Sequence, residues 1–408
     1  MEKIYKIFTL GNGLRIAYWE RPEGLVSYIG TVINAGSRDE DITLPGLAHF
    51  VEHTIFKGTK KRKSWQISSR METVGGELNA YTSKEETMVY TSAPAGYEER
   101  ATELIADLIK DSIFPEEELD TEKDVVIEEI NSYLDIPADS VFDEFEDLAY
   151  AGSGLAHNIL GTPESVAKLR SEDCRSFLDK FYTPKNMVMY CCSPMKAEKF
   201  FKIAEKYFGD LSFPGNLHNR VTPSEMKPFS ITRDNGRHQA NTIIGARAFG
   251  RNDPRRFPLF LLNNYLGGPN MNSRFNRELR EKRGLVYAVE SNVSLMSDTG
   301  LMTIYYGCDK KNVEKCKKII FNEIDRICQK KLPASTFDKI KRQYCGQLSL
   351  SGDHIENRAM STGKSLMYFD RINDISSSSK RIMEVTAEEM MEMAQLLAEN
   401  KCGRLTLS

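Results

Sequence analysis

Near the start of the chain, apolar residues are grouped in short runs of β-prone residues that are separated by turn sequences. Two such runs, residues 6–10 and 14–18, flank Gly11-Asn12-Gly13, a sequence typical of a hairpin turn. Further β-prone runs cover residues 27–33 and 87–93. These patterns predict a hairpin followed by two more strands.

Elsewhere in this half, apolar residues recur every three or four positions, which predicts amphipathic helices. One helix begins after Pro45-Gly46, which breaks the preceding loop. The other predicted helices cover residues 98–113, 115–134, 138–151, 164–181 and 197–208, and a strand covers residues 186–192.

The second half of the chain repeats this order of elements. Residues 211–228 lack periodic apolar positions and indicate a linker, punctuated by Pro214, Gly215, Asn216, Pro223 and Pro228. The strand before the first helix is matched by residues 240–245, and the first helix by residues 257–266. Strand 87–93 is matched by residues 301–306. We therefore predict an α+β fold of two homologous α/β-sandwich domains, residues 1–210 and 229–408. Each is a mainly antiparallel sheet packed with helices, and the two arise by internal duplication.

Composition and charge exclude several classes of protein. The chain has 408 residues, 40% of them hydrophobic, and a net charge of −3, which favours a soluble protein over a nucleic-acid or membrane-surface binder. The basic run at residues 57–63 is the local exception, and a solvated loop explains it better than a nucleic-acid patch. No apolar run approaches the ~18 residues of a membrane span, and the first residues lack the apolar core of a signal peptide. The eight scattered cysteines favour reduced thiols and a cytoplasmic location.

The first predicted helix carries candidate chemistry. His49-Phe50-Val51-Glu52-His53 places two imidazoles four residues apart, on one helical face, with a carboxylate between them. This H-x-x-E-H order is the inverzincin signature of a zinc site, in which the glutamate acts on a water molecule. The alternative is an ordinary polar helix face. The second copy has Leu259, Leu262 and Asn263 at these places, so it is not expected to bind metal there.

Two histidines need a third ligand to form a catalytic zinc site. Glu122 and Glu129 of the acidic helix are seven residues apart and therefore share a face. Acidic residues on a helix surface are usually solvated, so the spacing alone leaves both interpretations open.

A wider set of motifs resembles one family. The H-x-x-E-H motif with Glu129 is similar to the pitrilysin-type metallopeptidases, most of all the branch of the mitochondrial processing peptidase β-subunit and its bacterial relatives. The resemblance extends over nearly the whole chain and includes Val74-Gly75-Gly76-Glu77-Leu78-Asn79-Ala80-Tyr81-Thr82, Phe181-Tyr182-Thr183-Pro184-Lys185-Asn186-Met187 and Leu279-Arg280-Glu281-Lys282-Arg283-Gly284-Leu285-Val286-Tyr287.

The resemblance implies roles for individual residues. It makes His49, His53 and Glu129 the ligands of one Zn²⁺ per chain, Glu52 the general base, and Glu122 the carboxylate that orients His49 or His53. It also implies a substrate-binding edge strand, formed by Gly76, Glu77, Leu78, Asn79, Ala80, Tyr81 and Thr82, to which an extended peptide adds as a further strand. Without the family, this segment is a plain strand.

The second half contributes two more residues. The resemblance implies that Tyr287 donates a hydrogen bond to the developing oxyanion and that Arg280 holds substrate or supports the tyrosine. An arginine on an ordinary surface helix is the alternative. The chain departs from the pattern at Ser153, where many relatives have a histidine, while His157 lies elsewhere in that run. This departure lies in that loop and leaves the metal residues untouched.

The implied function is that of a zinc metalloendopeptidase that hydrolyses unfolded peptides inside a closed chamber. The alternative is a non-catalytic assembly subunit of a processing-peptidase-like complex. The resemblance implies a homodimer or, as a second option, a heterodimer with a related chain, and no nucleic-acid or membrane partner.

Overall fold

The computed structural model describes residues 5–212, 218, 220–234, 236 and 238–408. Its contacts divide the chain into two compact units. Unit 1 consists of the chain up to Asn131 with His157–Arg220 and Gly352–Asn373. Unit 2 consists of Ser132–Ala156, Val221–Ser351 and Asp374–Ser408. Each unit therefore contains a segment from the other half of the sequence.

Eleven strands and fourteen α-helices lie within the described residues. The strands are β1 Tyr5–Thr9, β2 Arg15–Glu20, β3 Val26–Ile33, β4 Glu77–Thr82, β5 Thr87–Pro94, β6 Met187–Ser193, β7 Ser230–Arg233, β8 Gln239–Phe249, β9 Val286–Leu295, β10 Thr299–Asp309 and β11 Gly403–Leu407. The helices are α1 Leu47–Thr54, α2 Ser64–Glu72, α3 Glu98–Asp111, α4 Glu116–Leu134, α5 Pro137–Ala149, α6 Pro163–Val166, α7 Ser171–Phe181, α8 Ala197–Phe208, α9 Arg256–Gly267, α10 Val313–Gln329, α11 Ala334–Ser351, α12 Ile355–Phe369, α13 Ile375–Glu384 and α14 Ala387–Ala394. Short 3₁₀ helices and one π-helix, Asn276–Glu281, complete the set.

Unit 1 is built on a sheet with the strand order β1-β2-β6-β3-β5-β4. The β2–β6 pair is parallel and all other pairs are antiparallel. On one face, apolar side chains of α1, α3, α7 and α8 bury a core that includes Phe50, Leu104 and Phe200. On the other face, α12 supplies Ala359 and Leu366 against sheet residues, so both faces of the sheet are covered.

Unit 2 repeats this topology with one strand fewer. Its described strands have the order β7-β11-β8-β10-β9, and β7–β11 is again the parallel pair. The strands β7, β11, β8, β10 and β9 therefore correspond to β2, β6, β3, β5 and β4. Helix α5 covers one face through Val141 and Phe145, and the Phe145 ring lies against Gly245, where a Cβ would be 2.8 Å from Cε1.

This topology confirms the predicted α+β fold with duplicated domains. The hairpin, α1, α3, α4, α5, α8 and strands 27–33, 87–93 and 186–192 lie where the pattern places them, within two residues at each end. The domain bounds 1–210 and 229–408 stay a prediction. Within the predicted linker, residues 213–217 and 219 lie outside the described residues, and its described residues form no helix or strand.

Two local predictions differ from the structure. A single helix over residues 164–181 is wrong, since α6 ends at Val166 and α7 begins at Ser171. A helix cap explains the break, because the Asp173 carboxylate accepts a hydrogen bond from the Arg170 backbone N–H at 2.9 Å and starts a new helix.

Helix α2 was not predicted. No described helix combines the length and apolar character that crossing a membrane requires.

Candidate metal centre

Helix α1 is fixed at its start by a buried carboxylate. Gly46 precedes the helix with φ +93°, a left-handed conformation that suits glycine. Glu40 accepts hydrogen bonds from the backbone N–H groups of Gly46 (2.9 Å) and Ala48 (2.6 Å). The His157 ring lies 3.0 Å from the same carboxylate, so this histidine supports the start of α1.

The predicted ligand residues come together in unit 1. His49 Nε2 lies 3.9 Å and His53 Nε2 3.4 Å from Glu129 Oε2, and one ligand atom from each residue lies within 4.8 Å of the others. Tetrahedral zinc with bonds of ~2.0–2.2 Å separates its ligand atoms by roughly 3.4 Å. The two imidazole nitrogens and one carboxylate oxygen therefore fit a small divalent ion. Among the described residues this is the sole such His/Cys/Asp/Glu group.

Glu122 orients one of the two histidines. Its Oε1 lies 2.9 Å from His53 Nδ1, and its Oε2 lies 2.5 Å from Lys57 Nζ. Burial alone would lower the pKa of His53, but the Glu122 carboxylate raises it above its usual value. Burial would raise the pKa of Glu122, but His53 and Lys57 hold it below its usual value. The pairing directs His53 Nε2 towards Glu129.

His49 has a different environment. Burial and the neighbouring His53 lower the pKa of His49 to about 3, so its ring is neutral throughout the physiological range. Its Nδ1 is buried and has no hydrogen-bond partner among the described residues. A neutral imidazole is the form that binds a metal.

Glu52 lies beside this group on α1. Burial raises the pKa of Glu52, the nearby Thr82 hydroxyl opposes the rise, and the negative charge of Glu129 adds to it. A carboxylate with a raised pKa takes up a proton more readily than an exposed one. Thr82 is the last residue of β4, so the sheet edge and the motif helix meet at Glu52.

Strand β4 forms one end of the sheet in unit 1 and pairs with β5. It begins at Glu77, one residue after the predicted start at Gly76. The Tyr81 hydroxyl donates to Glu86 at 2.9 Å, and the Lys364 ammonium lies 5.0 Å from the centre of the Tyr81 ring. These contacts hold the strand from the α12 side of the sheet.

The basic run beside α1 is partly exposed, as a solvated loop would be, with Lys60 67% and Lys61 61% exposed, but its cations also pair with carboxylates. The Arg62 guanidinium contacts Asp107 at 2.5 Å and both oxygens of Glu103 at 2.8 Å. Lys57 contacts Glu122, a role that sequence reasoning missed. No local signal could have revealed it, because the partner lies on a distant helix.

The remaining predicted residues lie in unit 2. Arg280 lies in the π-helix, and Tyr287 lies in β9 with 44% of its surface exposed. The Tyr287 hydroxyl donates to Asn241 Oδ1 at 3.0 Å. Leu259 and Leu262, at the places of the motif residues in the second copy, are fully buried.

Comparison with known families finds two family models that match successive parts of the chain. Residues 15–163 match the family model described as Insulinase (Peptidase family M16), and residues 168–344 match the model described as Peptidase M16 inactive domain. The uncharacterized zinc protease YmxG of Bacillus subtilis (strain 168) is 31% identical over 392 residues, 96% of this chain and 95% of the relative. An uncharacterized zinc protease of Streptomyces coelicolor is 32% identical over 95% of this chain and 86% of the relative.

Solved structures agree on the fold. A protease from Helicobacter pylori has a TM-score of 0.90 at 20% identity and covers 99% of both chains. A peptidase M16 inactive domain from Pseudomonas fluorescens has a TM-score of 0.91 at 19% identity, and the match covers 99% of this chain and 97% of the Pseudomonas chain. With two family models matched in succession and relatives above 30% identity over nearly its whole length, this chain belongs to the pitrilysin-type peptidase family M16.

Proposed function

We propose that the protein is a zinc-dependent endopeptidase that hydrolyses unfolded peptides. The observation that carries the proposal is the convergence of His49, His53 and Glu129, with Glu52 beside them. The relatives named zinc proteases support the choice of metal. One Zn²⁺ per chain is proposed, held by these three residues with a coordination position left for solvent.

When bound, Zn²⁺ supplies a Lewis acid that polarises the scissile carbonyl and acidifies a water molecule. Glu52 accepts the proton of the attacking water and returns it to the leaving amine. Its raised pKa suits both steps, because the protonated form must persist until the amine leaves. Glu122 keeps the proton of His53 on Nδ1 and thereby presents Nε2 as a lone-pair donor.

Strand β4 is proposed to receive the substrate. Gly76, Glu77, Leu78, Asn79, Ala80, Tyr81 and Thr82 would pair with an extended peptide through main-chain hydrogen bonds. Such contacts carry little side-chain information, so we expect broad sequence tolerance. A peptide must be unfolded to add as a strand, and we propose that it is hydrolysed inside a closed chamber that excludes folded proteins.

Arg280 and Tyr287 are proposed to act on the substrate during hydrolysis. The Tyr287 hydroxyl would donate to the oxyanion, and Arg280 would hold substrate main chain or support the tyrosine. Removing one donor of this kind costs about 3 kcal/mol of transition-state stabilisation.

Two substitutions test the proposal by separating metal binding from chemistry. Glu52→Gln should retain metal and lose hydrolysis of a quenched fluorogenic peptide, whereas His49→Ala should lose both. Metal content is measured by mass spectrometry after dialysis, and Glu128→Gln, an exposed carboxylate on α4, is the matched control. Full peptidase activity in the Glu52→Gln protein would refute the assigned base.

The same assay tests the alternative of a non-catalytic assembly subunit. The family model named an inactive domain matches residues 168–344, a range that excludes His49, Glu52, His53 and Glu129. A wild-type protein that binds zinc but cleaves no member of a peptide library would favour the assembly role.

We also propose a homodimer, because the metal residues and the arginine–tyrosine pair are present in one chain. Light scattering that finds a stable monomer would contradict it, and activity restored only by a related chain would favour the heterodimer. A cytoplasmic location is proposed from the cysteines, all eight of which are free thiols. Cell fractionation tests the location.

A further inference from the structure

Tyr287 is held by a specific arrangement of unit 2. In the β9–β10 pairing, Val286 faces Cys308 and Ala288 faces Gly307, so Tyr287 is the extra residue of a β-bulge. A bulge redirects the side chain of its extra residue. The ring lies over Gly307, where an added Cβ would be 2.6 Å from Tyr287 Cε2. Glycine at position 307 therefore makes room for the ring.

The hydroxyl then reaches across β10 to Asn241 on β8. Asn241 is paired with Gly307, so its side chain lies on the same face as the tyrosine ring. Its Oδ1 accepts hydrogen bonds from the hydroxyls of Tyr287 (3.0 Å) and Tyr305 (2.8 Å). Asn241 is 5% exposed and Tyr305 6% exposed, so the acceptor is fixed within the packed face beneath α5.

A cavity of about 550 Å³ opens beside this hydroxyl. Asn241 and Tyr287 both line it, together with residues at the start of α5. A substrate carbonyl entering the cavity would therefore meet a hydroxyl whose proton is already directed to another acceptor.

We propose that Asn241 is a positioning residue for the oxyanion donor Tyr287, an inference that rests on the proposed peptidase function. A phenol has one proton, so the neutral Asn241 amide oxygen and the substrate oxygen compete for it. Hydrogen bonds to a charged acceptor are roughly twice as strong as those to a neutral one. The Tyr287 proton therefore stays with Asn241 while the substrate carbonyl is neutral and turns to the substrate oxygen as negative charge develops. The donor thus favours the transition state over bound substrate, which raises kcat without tightening substrate binding.

The test varies the acceptor. In Asn241→Asp, a carboxylate competes with the oxyanion for the proton, and kcat should fall about 10- to 100-fold with KM changed less than about twofold. In Asn241→Ala, the hydroxyl loses its resting partner, and kcat should fall about 3- to 10-fold. Thr406→Val, which removes the buried Thr242–Thr406 hydrogen bond from the same sheet, is the control for general loss of packing.

Both substitutions are repeated in a Tyr287→Phe background, where they should change kcat less than about twofold because no proton remains to be positioned. Urea unfolding verifies that each variant is folded, and Asn241→Ala keeps the test valid if the buried aspartate prevents folding. The inference would be overturned if the substitutions lowered kcat equally in the wild-type and Tyr287→Phe backgrounds. It would also be overturned if Asn241→Asp lowered kcat no more than Asn241→Ala. Wild-type activity in Tyr287→Phe would overturn it and leave the zinc peptidase proposal intact. A wild-type protein without chelator-sensitive hydrolysis would overturn both.

Discussion

Replacement of Glu122 by glutamine tests how the metal centre is tuned. Glu122 Oε1 lies 2.9 Å from His53 Nδ1, and the carboxylate is held by Lys57 at 2.5 Å. Glutamine has nearly the same shape and its amide oxygen can still accept from Nδ1. The substitution therefore removes the negative charge behind His53, keeps the size of the side chain, and turns an amide NH₂ group, which cannot accept a hydrogen bond, towards Lys57.

The expected loss of zinc affinity is 10- to 100-fold, the usual effect of removing such a partner, or about 1.4–2.7 kcal/mol. The loss must depend on pH. The carboxylate makes His53 a better ligand, but it also raises the pKa of His53, so protons compete more strongly with the metal in the wild type. The affinity ratio of wild type to Glu122→Gln should be largest at alkaline pH and shrink as the pH falls.

Without metal, the same pair gives a second signature. The pKa of Glu122 is lowered in the folded protein. The stability that Glu122 contributes is therefore present above its pKa in the unfolded chain, about 4.5, and is lost as the pH falls through its pKa in the folded protein. His53 has a raised pKa, so its contribution is present below about 6.5 and is lost as the pH rises through the folded value. Relative to metal-free wild type, the metal-free Glu122→Gln protein should therefore lose most unfolding free energy between about pH 4.5 and pH 6.5, where both contributions are present.

Competition with a chromogenic zinc chelator between pH 6 and 8.5 measures the affinity, and urea unfolding measures the stability of the metal-free protein. Glu128→Gln serves as the control, because it removes a carboxylate exposed on the same helix. An affinity ratio that stays constant over this pH range would refute the argument that the charge of Glu122 tunes His53.

Three further outcomes follow from named contacts. Arg62→Met should cost about 2 kcal/mol of unfolding free energy without changing zinc affinity, because it takes the strongest partner from the fully buried Asp107 carboxylate. Gly307→Ala should cost about 2 kcal/mol by displacing the Tyr287 ring, and urea unfolding should show the cost disappearing in a Tyr287→Ala background. Zinc at a hundred times its dissociation constant should stabilise the wild type by about 2.7 kcal/mol, so calorimetry should show a chelator lowering its Tm but not that of His49→Ala.

The strands and most helices were predictable because their apolar periodicity is local. The interleaving of the two halves was not. Helix α5 belongs to the first half of the chain but covers the sheet of unit 2, whose strands come from the second half. Helix α12 belongs to the second half but covers the sheet of unit 1, whose strands come from the first half. Both sheets present apolar faces, so periodicity shows that a helix is amphipathic but not which sheet it covers.

The candidate site shows the same limit. Helical spacing placed Glu122 and Glu129 on one face of α4, but the partner of Glu122 depends on how α4 crosses α1. The resemblance left His49 and His53 as alternatives, and the structure places Glu122 against His53. Asn241 carried no sequence signal, because its role depends on strand register and on the bulge at Tyr287.

The second copy lacks the chemistry for a reason beyond its missing histidines. Glu122 and Glu129 are the seventh and fourteenth residues of α4, and the corresponding residues of α11 are Ile340 and Gln347. Helix α4 contacts α1 through the pairs that Glu122 and Glu129 form with His53, and in unit 2 α11 packs against α9, which also packs against α13 and α14. Introducing histidine at Leu262, which is fully buried, would bury an ionisable ring with no carboxylate on α11 to pair with it. The proposed metal binding of unit 1 therefore depends on an acidic partner helix as much as on the histidine helix.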